Sequence, residues 1–362
     1  MVKYRYLFVI RSLTGGGAER VVSILASGLA KRGYEVHLVI YGSSNSDYEL
    51  NSKVILHVLG KNNCQNMIKQ KLSRVYYIRE IINEIQPDII IPFLGGIVDA
   101  TFLASRFKKC RFISTIRNNP EVQPANKIYR YWRNYINFRS NAVFVQNKIQ
   151  KEYYFKFMHK KIFVLPNPIS KFFFDNKKSG NNQIKNIVSV GRLTEQKNHL
   201  MLFKAFSEVI KKYPYLKLRI YGEGKLKEFL EQKINEMSLT GNVFLCGRVN
   251  NIFPELQKAD LFVMSSDYEG MPNALMEAIA MGIPCISTDC PTGPADLIID
   301  KETGYLVPVG EYGLLSNAIM DAVKNPKYAN EMAIKARENL KNKFSEEKIV
   351  EKFIRLIEKQ FK

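Results

Sequence analysis

The chain runs twice through the same alternation of short apolar segments and helix-like segments. In the first half, apolar runs rich in β-branched residues occupy 6–10, 35–40, 88–92, 113–116, 142–146 and 162–165. Between them, 19–32 places Val21, Val22, Leu25 and Leu29 on one helical face and stops at Gly33, a C-terminal cap residue. A second series follows at 187–190, 216–221, 243–246, 261–264 and 285–288. Alternation of this kind predicts parallel sheets covered by helices on both faces. The pattern breaks around Leu165-Pro166-Asn167-Pro168-Ile169, and 175–186 is polar and lysine-rich, a linker composition. At 362 residues there is enough chain for two cores. The expected fold class is α/β: two Rossmann-like halves joined near 170–186, with ligands in a cleft beyond the carboxyl ends of the strands.

Chemistry concentrates in residues 265–277. The strand at 261–264 runs through a loop into a helix predicted over 273–281, with Glu269 before the turn and Glu277 eight positions later. Gly270, Met271, Pro272, Asn273, Ala274 and Leu275 form the junction. A strand–loop–helix junction offers backbone N–H groups and the positive end of a helix dipole, a site suited to a diphosphate. Glu277, one turn inside the helix, is placed to accept hydrogen bonds from ribose hydroxyls. A second candidate is Gly15, Gly16 and Gly17, after the first strand, where backbone can approach a phosphate or sugar closely. A nicotinamide-binding fingerprint is excluded there, because its sixth position is Arg20 and the second strand ends at Tyr41-Gly42 without a ribose-holding acid. Gly247-Arg248-Val249, after another strand, is the expected place for a nucleotide base.

The Glu-x7-Glu spacing, together with Gly191-Arg192-Leu193-Thr194-Glu195-Gln196-Lys197-Asn198 and Thr14-Gly15-Gly16-Gly17-Ala18-Glu19-Arg20, resembles the retaining glycosyltransferases of GT-B fold known as family 4. The three segments stand in that family's order, so the resemblance spans nearly the whole chain. It implies two Rossmann-like domains facing a central cleft, with a C-terminal helix crossing back to the first. The expected domains are 1–170 for acceptor and membrane, 171–344 for the nucleotide-sugar donor, and 345–362 for the crossover helix. Arg192 and Lys197 would hold the departing diphosphate, a guanidinium and an ammonium on neighbouring phosphates. Glu269 would face the donor sugar and the charge developing at its anomeric carbon. No metal and no cofactor are implied. Cys290-Pro291-Thr292-Gly293-Pro294 is similar to members that use UDP-galactose or UDP-N-acetylgalactosamine. Asp267 and Asp296 are alternative carboxylates, Asp267 as a loop or cap residue. One departure stands out: where many members carry a histidine after the strand at 113–116, this chain has Arg117-Asn118-Asn119, here taken as acceptor-side candidates. His37 and His57 read as strand residues, His159 as surface, and His199 as supporting the site from behind.

The net charge of +20 is uneven, since residues 108–178 hold 16 Lys or Arg against three acids. Aromatics interleave with this charge in Lys127-Ile128-Tyr129-Arg130-Tyr131-Trp132-Arg133, as in an interfacial helix on anionic lipid. A solvated basic face is the plainer alternative, and no nucleic-acid module accompanies the patch. Five cysteines (Cys64, Cys110, Cys246, Cys285, Cys290) form no Cys-x-x-Cys pair, consistent with a reducing cytosol. Neither a signal peptide after Met1-Val2-Lys3 nor a membrane span is expected, as the longest uncharged apolar stretch is 89–98. The tail at 345–362 reads as an amphipathic helix, Ser345 its N-cap and Lys359 and Lys362 near its end.

The resulting expectation is a cytoplasmic enzyme on the inner membrane face, transferring a hexose or N-acetylhexosamine to a lipid-linked or cell-surface glycan. The alternatives are a non-hydrolysing nucleotide-sugar epimerase and a non-catalytic sugar-nucleotide-binding protein.

Overall fold

The computed structural model describes residues 4–41, 46–60 and 67–361. Gly42, Cys64, Lys362 and the Met1-Val2-Lys3 start lie outside the described residues. The chain divides into two compact units, one formed by Met1–Pro168 with Glu346–Lys362, the other by Ile169–Ser345.

Unit 1 carries strands β1 (Arg5–Val9), β2 (Glu35–Tyr41), β3 (Val54–Leu59), β4 (Ile89–Pro92), β5 (Arg111–Thr115), β6 (Ala142–Val145) and β7 (Ile162–Val164). Its helices are α1 (Gly17–Lys31), α2 (Met67–Ile85), α3 (Gly95–Ser105), α4 (Lys127–Arg139) and α5 (Lys148–Glu152). Unit 2 continues with α6 (Lys171–Asp175), β8 (Asn186–Val190), α7 (His199–Lys212), β9 (Lys217–Tyr221) and α8 (Lys227–Glu236). Then come β10 (Val243–Leu245), α9 (Phe253–Lys258), β11 (Leu261–Met264), α10 (Asn273–Ala280), β12 (Cys285–Thr288) and α11 (Pro294–Leu297). Unit 2 closes with β13 (Tyr305–Val307), α12 (Tyr312–Lys324) and α13 (Pro326–Phe344), and the chain returns to unit 1 as α14 (Glu346–Phe361).

Both sheets are wholly parallel and doubly wound. The first has strand order β3-β2-β1-β4-β5-β6-β7, the second β10-β9-β8-β11-β12-β13. Strand order reverses between β1 and β4 in one sheet and between β8 and β11 in the other. At such a point the loops leaving two adjacent strands diverge to opposite faces and open a crevice for ligands. Central strands are buried on both faces, which explains the unbroken apolar runs of β4, β6 and β11. Of the edge strands, β13 has no counterpart in the sequence reading, and β3 is marked there only by His57. β3 exposes Ile55 and Val58 and so lacks the apolar run that marks a buried strand.

Residues 175–186 are not a linker. They belong to unit 2, where Asp260 fastens them: its carboxylate accepts from Lys178 Nζ at 3.0 Å, from Asn181 Nδ2 at 2.5 Å, and from the Lys185 and Asn186 amides. The change of unit falls at Pro168–Ile169 instead, and Ile169 is itself tied to Phe344 O at 2.9 Å.

α14 packs on α1 of unit 1. Val350 stands so close to Gly28 that a Cβ there would meet its methyl at 2.5 Å. Phe353, fully buried, sits among Tyr6, Phe8 and Phe144 at centroid distances of 5.9, 6.4 and 5.6 Å. Glu346 and Glu347 occupy its first turn and Lys359 its last, matching the helix dipole.

Candidate active site

The site in unit 2 sits where its strand order reverses, on the loops after β8 and β11. Burial of Leu193 and Gln196 anchors the first loop, which carries Arg192 on its exposed side. Asn198 turns it into α7 with a left-handed backbone (φ 42°), and its side chain accepts from the Met201 amide at 3.1 Å as the helix cap. Asparagine tolerates that conformation better than most residues. The same side chain donates to Asp267 Oδ1 at 2.7 Å, so the capping residue of one loop grips the other. Asp267 is therefore a fastening, half-buried, and its amide is held by Gln196 O.

Within this frame Lys197 Nζ meets Glu269 Oε1 at 2.5 Å, with both side chains largely buried. The Ser266 hydroxyl donates to the same carboxylate oxygen at 2.7 Å. Thr292 Oγ1 donates to Glu269 O, Thr288 Oγ1 to Ser266 O at 2.6 Å, and Ser265 Oγ to Lys197 O at 3.0 Å. The acid is thus fixed from three directions, and the pair is assembled from residues 72 positions apart. Gly191 allows the close approach, since a Cβ there would stand 3.0 Å from Lys197 Cδ. Gly270, Met271 and Pro272 are buried and lead into α10, which begins without a side-chain cap. Gly293 (φ 100°) lies against this turn, 2.9 Å from Gly270 O by the same test. Asn273 and Ala274 are half-buried, Leu275 is buried, and Glu277 is buried in α10. Asp296 lies exposed in α11.

His199 is buried and supports the loop from behind, its Nε2 3.3 Å from Arg192 O. Burial first, and the Lys197 charge second, push this imidazole down to about 4, so it stays neutral near pH 7. Cys290 is a buried thiol pushed up to about 12 by burial and then by Glu269, which leaves it protonated and unreactive.

Gly247 (φ 72°) accepts from the Gly222 amide at 2.8 Å, and Gly222 in turn abuts the Gly191 carbonyl. Its strand, β10, is two places from β8, roughly 10 Å across the sheet. Arg248 is exposed there and Val249 half-buried. The sequence reading missed the roles of Ser266, Gln196 and the Gly222–Gly224 turn. All follow the carboxyl ends of strands, the one signal that marked them.

Within unit 1, Gly15 (φ 75°), Gly16 and Gly17 lie between β1 and α1, with Gly16 as N-cap. A Cβ on Gly16 would meet the Glu19 carboxylate, so a side chain there would have to displace Glu19. Tyr48 donates to Gly16 O at 2.9 Å. Arg117 and Asn118 are half-buried and Asn119 buried after β5. Asn118 Oδ1 accepts from the Asn119 amide at 2.8 Å, and Asn119 Oδ1 from the Glu121 amide at 2.9 Å, both shaping the turn. His37 and His57 lie on β2 and β3, their rings joined at 2.9 Å. His159 lies half-buried at the surface, bonded to Tyr154 O. Among the described residues no group of three or more His, Cys, Asp or Glu could hold a metal ion, and no helix is long and apolar enough to cross a membrane.

Residues 170–339 match the family Glycosyl transferases group 1, and residues 15–171 match Glycosyltransferase Family 4. An uncharacterized glycosyltransferase of Methanocaldococcus jannaschii is 34% identical over 277 residues, covering 68% of this chain and 67% of that protein. A Campylobacter jejuni protein named GalNAc-alpha-(1->4)-GalNAc-alpha-(1->3)-diNAcBac-PP-undecaprenol alpha-1,4-N-acetyl-D-galactosaminyltransferase is 28% identical, covering 97% of each chain. Among solved structures, Staphylococcus aureus TarM superposes with a TM-score of 0.83 at 17% identity, over 98% of this chain and 99% of that one. Anabaena HepE, crystallised with UDP and glucose, gives 0.82 at 15%, with the same coverage. With its two doubly wound units and these matches end to end, the chain belongs to the family 4 glycosyltransferases of GT-B fold.

Proposed function

We propose that this glycosyltransferase moves a hexose or N-acetylhexosamine from a UDP-sugar to a lipid-linked or cell-surface glycan, with retention of anomeric configuration and without a metal ion. Unit 2 holds the donor and unit 1 the acceptor. One observation carries the reading: the Lys197–Glu269 pair, buried where the strand order of unit 2 reverses and next to the start of α10.

The anomeric carbon–oxygen bond to the diphosphate breaks, and its electron pair stays on the phosphate oxygen. Arg192, Lys197 and the N-terminal turn of α10 offset that growing negative charge. Glu269 faces the positive charge developing on the sugar. The acceptor hydroxyl bonds to the same face of the anomeric carbon, and its proton passes to the departing phosphate. Glu277 holds the ribose, and the turn at Gly247, Arg248 and Val249 holds the base.

UDP bound to HepE supports the nucleotide, and the N-acetylgalactosaminyl activity in the Campylobacter protein's name supports an N-acetylgalactosamine or galactose donor. Its diphospho-undecaprenol acceptor supports a lipid-linked one. The test is slow hydrolysis of UDP-sugars by the purified protein, with and without EDTA. Turnover of one UDP-hexose or UDP-N-acetylhexosamine, unchanged by EDTA, is the expected result; loss that Mg²⁺ restores overturns the metal-free mechanism.

Work at the inner face of the membrane is the second part of the proposal. Unit 1 exposes Ile128, Tyr131, Tyr135 and Phe138 on α4, and Phe155 and Phe157 beyond it, amid the cations of 108–178. Phe155 and Phe157 stack at 5.8 Å, and Lys161 stands 5.3 Å from the Phe138 ring. Exposed aromatics mixed with cations suit an anionic lipid surface, each cation adding about 1 kcal/mol. Replacing Lys127, Arg139, Lys148 and Lys160 with Gln should release the protein from phosphatidylglycerol vesicles; unchanged sedimentation would leave only a solvated face.

A further inference from the structure

Unit 1 holds a cation to which the transfer chemistry above gives no role. Arg117 follows β5, and its guanidinium lies 4.6 Å from the centroid of Phe93. Nη1 donates to Asn167 Oδ1 at 3.1 Å, and that oxygen also accepts from Gln146 Nε2 at 2.9 Å. The remaining nitrogens, Nε and Nη2, are buried and have no hydrogen-bond partner. These two share one edge of the planar guanidinium, the fork that matches two oxygens of a phosphate or carboxylate.

No carboxylate among the described residues pairs with Arg117. The side chains linked to its surroundings are neutral amides, Gln146, Gln150 and Asn167. Burial alone pushes the guanidinium down to about 9. A buried cation without a counter-charge is costly, and breaking such pairs is among the most damaging substitutions known. A protein gains nothing in stability from keeping one.

The ring under Arg117 leads directly into α3. Leu94, its N-cap, holds φ 69° and offers no side-chain cap, and both Gly95 and Gly96 have open space where a Cβ would stand. A left-handed leucine is strained, and strain of this sort gathers at ligand sites. The start of an 11-residue helix adds positive potential at the carboxyl ends of β4 and β5.

We propose that Arg117 anchors an oxyanion site in unit 1, its Nε and Nη2 edge taking two oxygens of a phosphate or diphosphate group beside the start of α3. A phosphate fits better than a carboxylate, because its further oxygens can meet the helix amides. The glycosyltransferase reading bears only on the source of that phosphate, the donor's diphosphate or a diphosphate-linked lipid acceptor.

The test titrates the full chain and its Arg117→Met and Arg117→Lys variants with inorganic pyrophosphate, UDP and farnesyl diphosphate, and melts each alone. Both variants should bind pyrophosphate roughly tenfold more weakly, the fork being lost even where lysine keeps the charge. Without anion, Arg117→Met should melt above the parent chain. Weakened UDP binding assigns the site to the donor, and weakened farnesyl diphosphate binding to the acceptor. Unchanged pyrophosphate binding in both variants overturns the site, as does a lower melting temperature of Arg117→Met with anion affinity intact. If Arg117→Met does not fold, Arg117→Lys alone decides. UDP-sugar hydrolysis on the same samples reads the Lys197–Glu269 chemistry separately, so either conclusion can fail without the other.

Discussion

Each unit buries a cation beyond the carboxyl ends of its strands, and the two are treated in opposite ways. Lys197 lies on Glu269, an acid already fixed by Ser266 and Thr292. Arg117 lies on an aromatic ring and one amide oxygen, with two nitrogens unsatisfied. In unit 2 the protein supplies the counter-charge, so the charged groups are in place before any ligand arrives, which is the condition for electrostatic catalysis. In unit 1 the counter-charge is left to come from elsewhere. A buried ion pair organises a site, whereas a buried lone ion waits for one.

The sharpest way to break this contrast is turnover. Glu269→Gln keeps the shape and removes the charge, and should lower UDP-sugar hydrolysis at least about a hundredfold in a chain that still folds, though less stably because Lys197 loses its partner. Near-normal hydrolysis would reduce the pair to a structural bridge. Stability comes next. Lys197→Met leaves the Glu269 carboxylate buried without its partner and should cost about 3–5 kcal/mol in urea unfolding. That sign is opposite to the one expected for Arg117→Met, and equal signs would dissolve the distinction.

A smaller effect reaches the imidazole beside the pair. The folded His199 binds its proton only near pH 4, against about 6.5 in the unfolded chain. The unfolded state therefore holds more protons between those values, and stability falls as pH drops from about 6.5 toward 4. The loss is about 3 kcal/mol at most, from a shift of this size. Urea midpoints at pH 7, 5.5 and 4.5 should follow it, and His199→Asn should flatten the curve by that amount; an equally steep fall in the variant would place the proton elsewhere.

The sequence revealed most of the fold where burial is two-sided. β1, β4, β6 and β11 are continuous apolar runs, because a parallel strand under helices has no face to give to water. β3 exposes Ile55 and Val58 and showed itself only at His57, whereas nothing in the structure sets the missed β13 apart from the short edge strands β7 and β10. The polar segment at 175–186 was misleading for a different reason: its amides and lysines serve Asp260, some 75 to 82 residues away, and local composition carries no trace of that. At the site, Lys197, Glu269 and Arg192 were recognisable through their motifs. Their mutual arrangement was not, nor were the roles of Ser266 and Thr292, since a hydroxyl after a strand looks the same whether it orients an acid or faces solvent. Arg117 was noticed as a departure from pattern, yet its lack of a partner is a property of packing alone.

The position of α14 has a consequence for synthesis. On the ribosome, residues 169–345 emerge before the segment that fills the aromatic gap left by Tyr6, Phe8 and Phe144. Most of unit 2 can therefore fold while the earlier-made unit still shows a greasy hollow to the cell. Phe353 can close that hollow only once the finished chain is released, so the first unit begun is the last one completed, and its apolar gap stays open through synthesis.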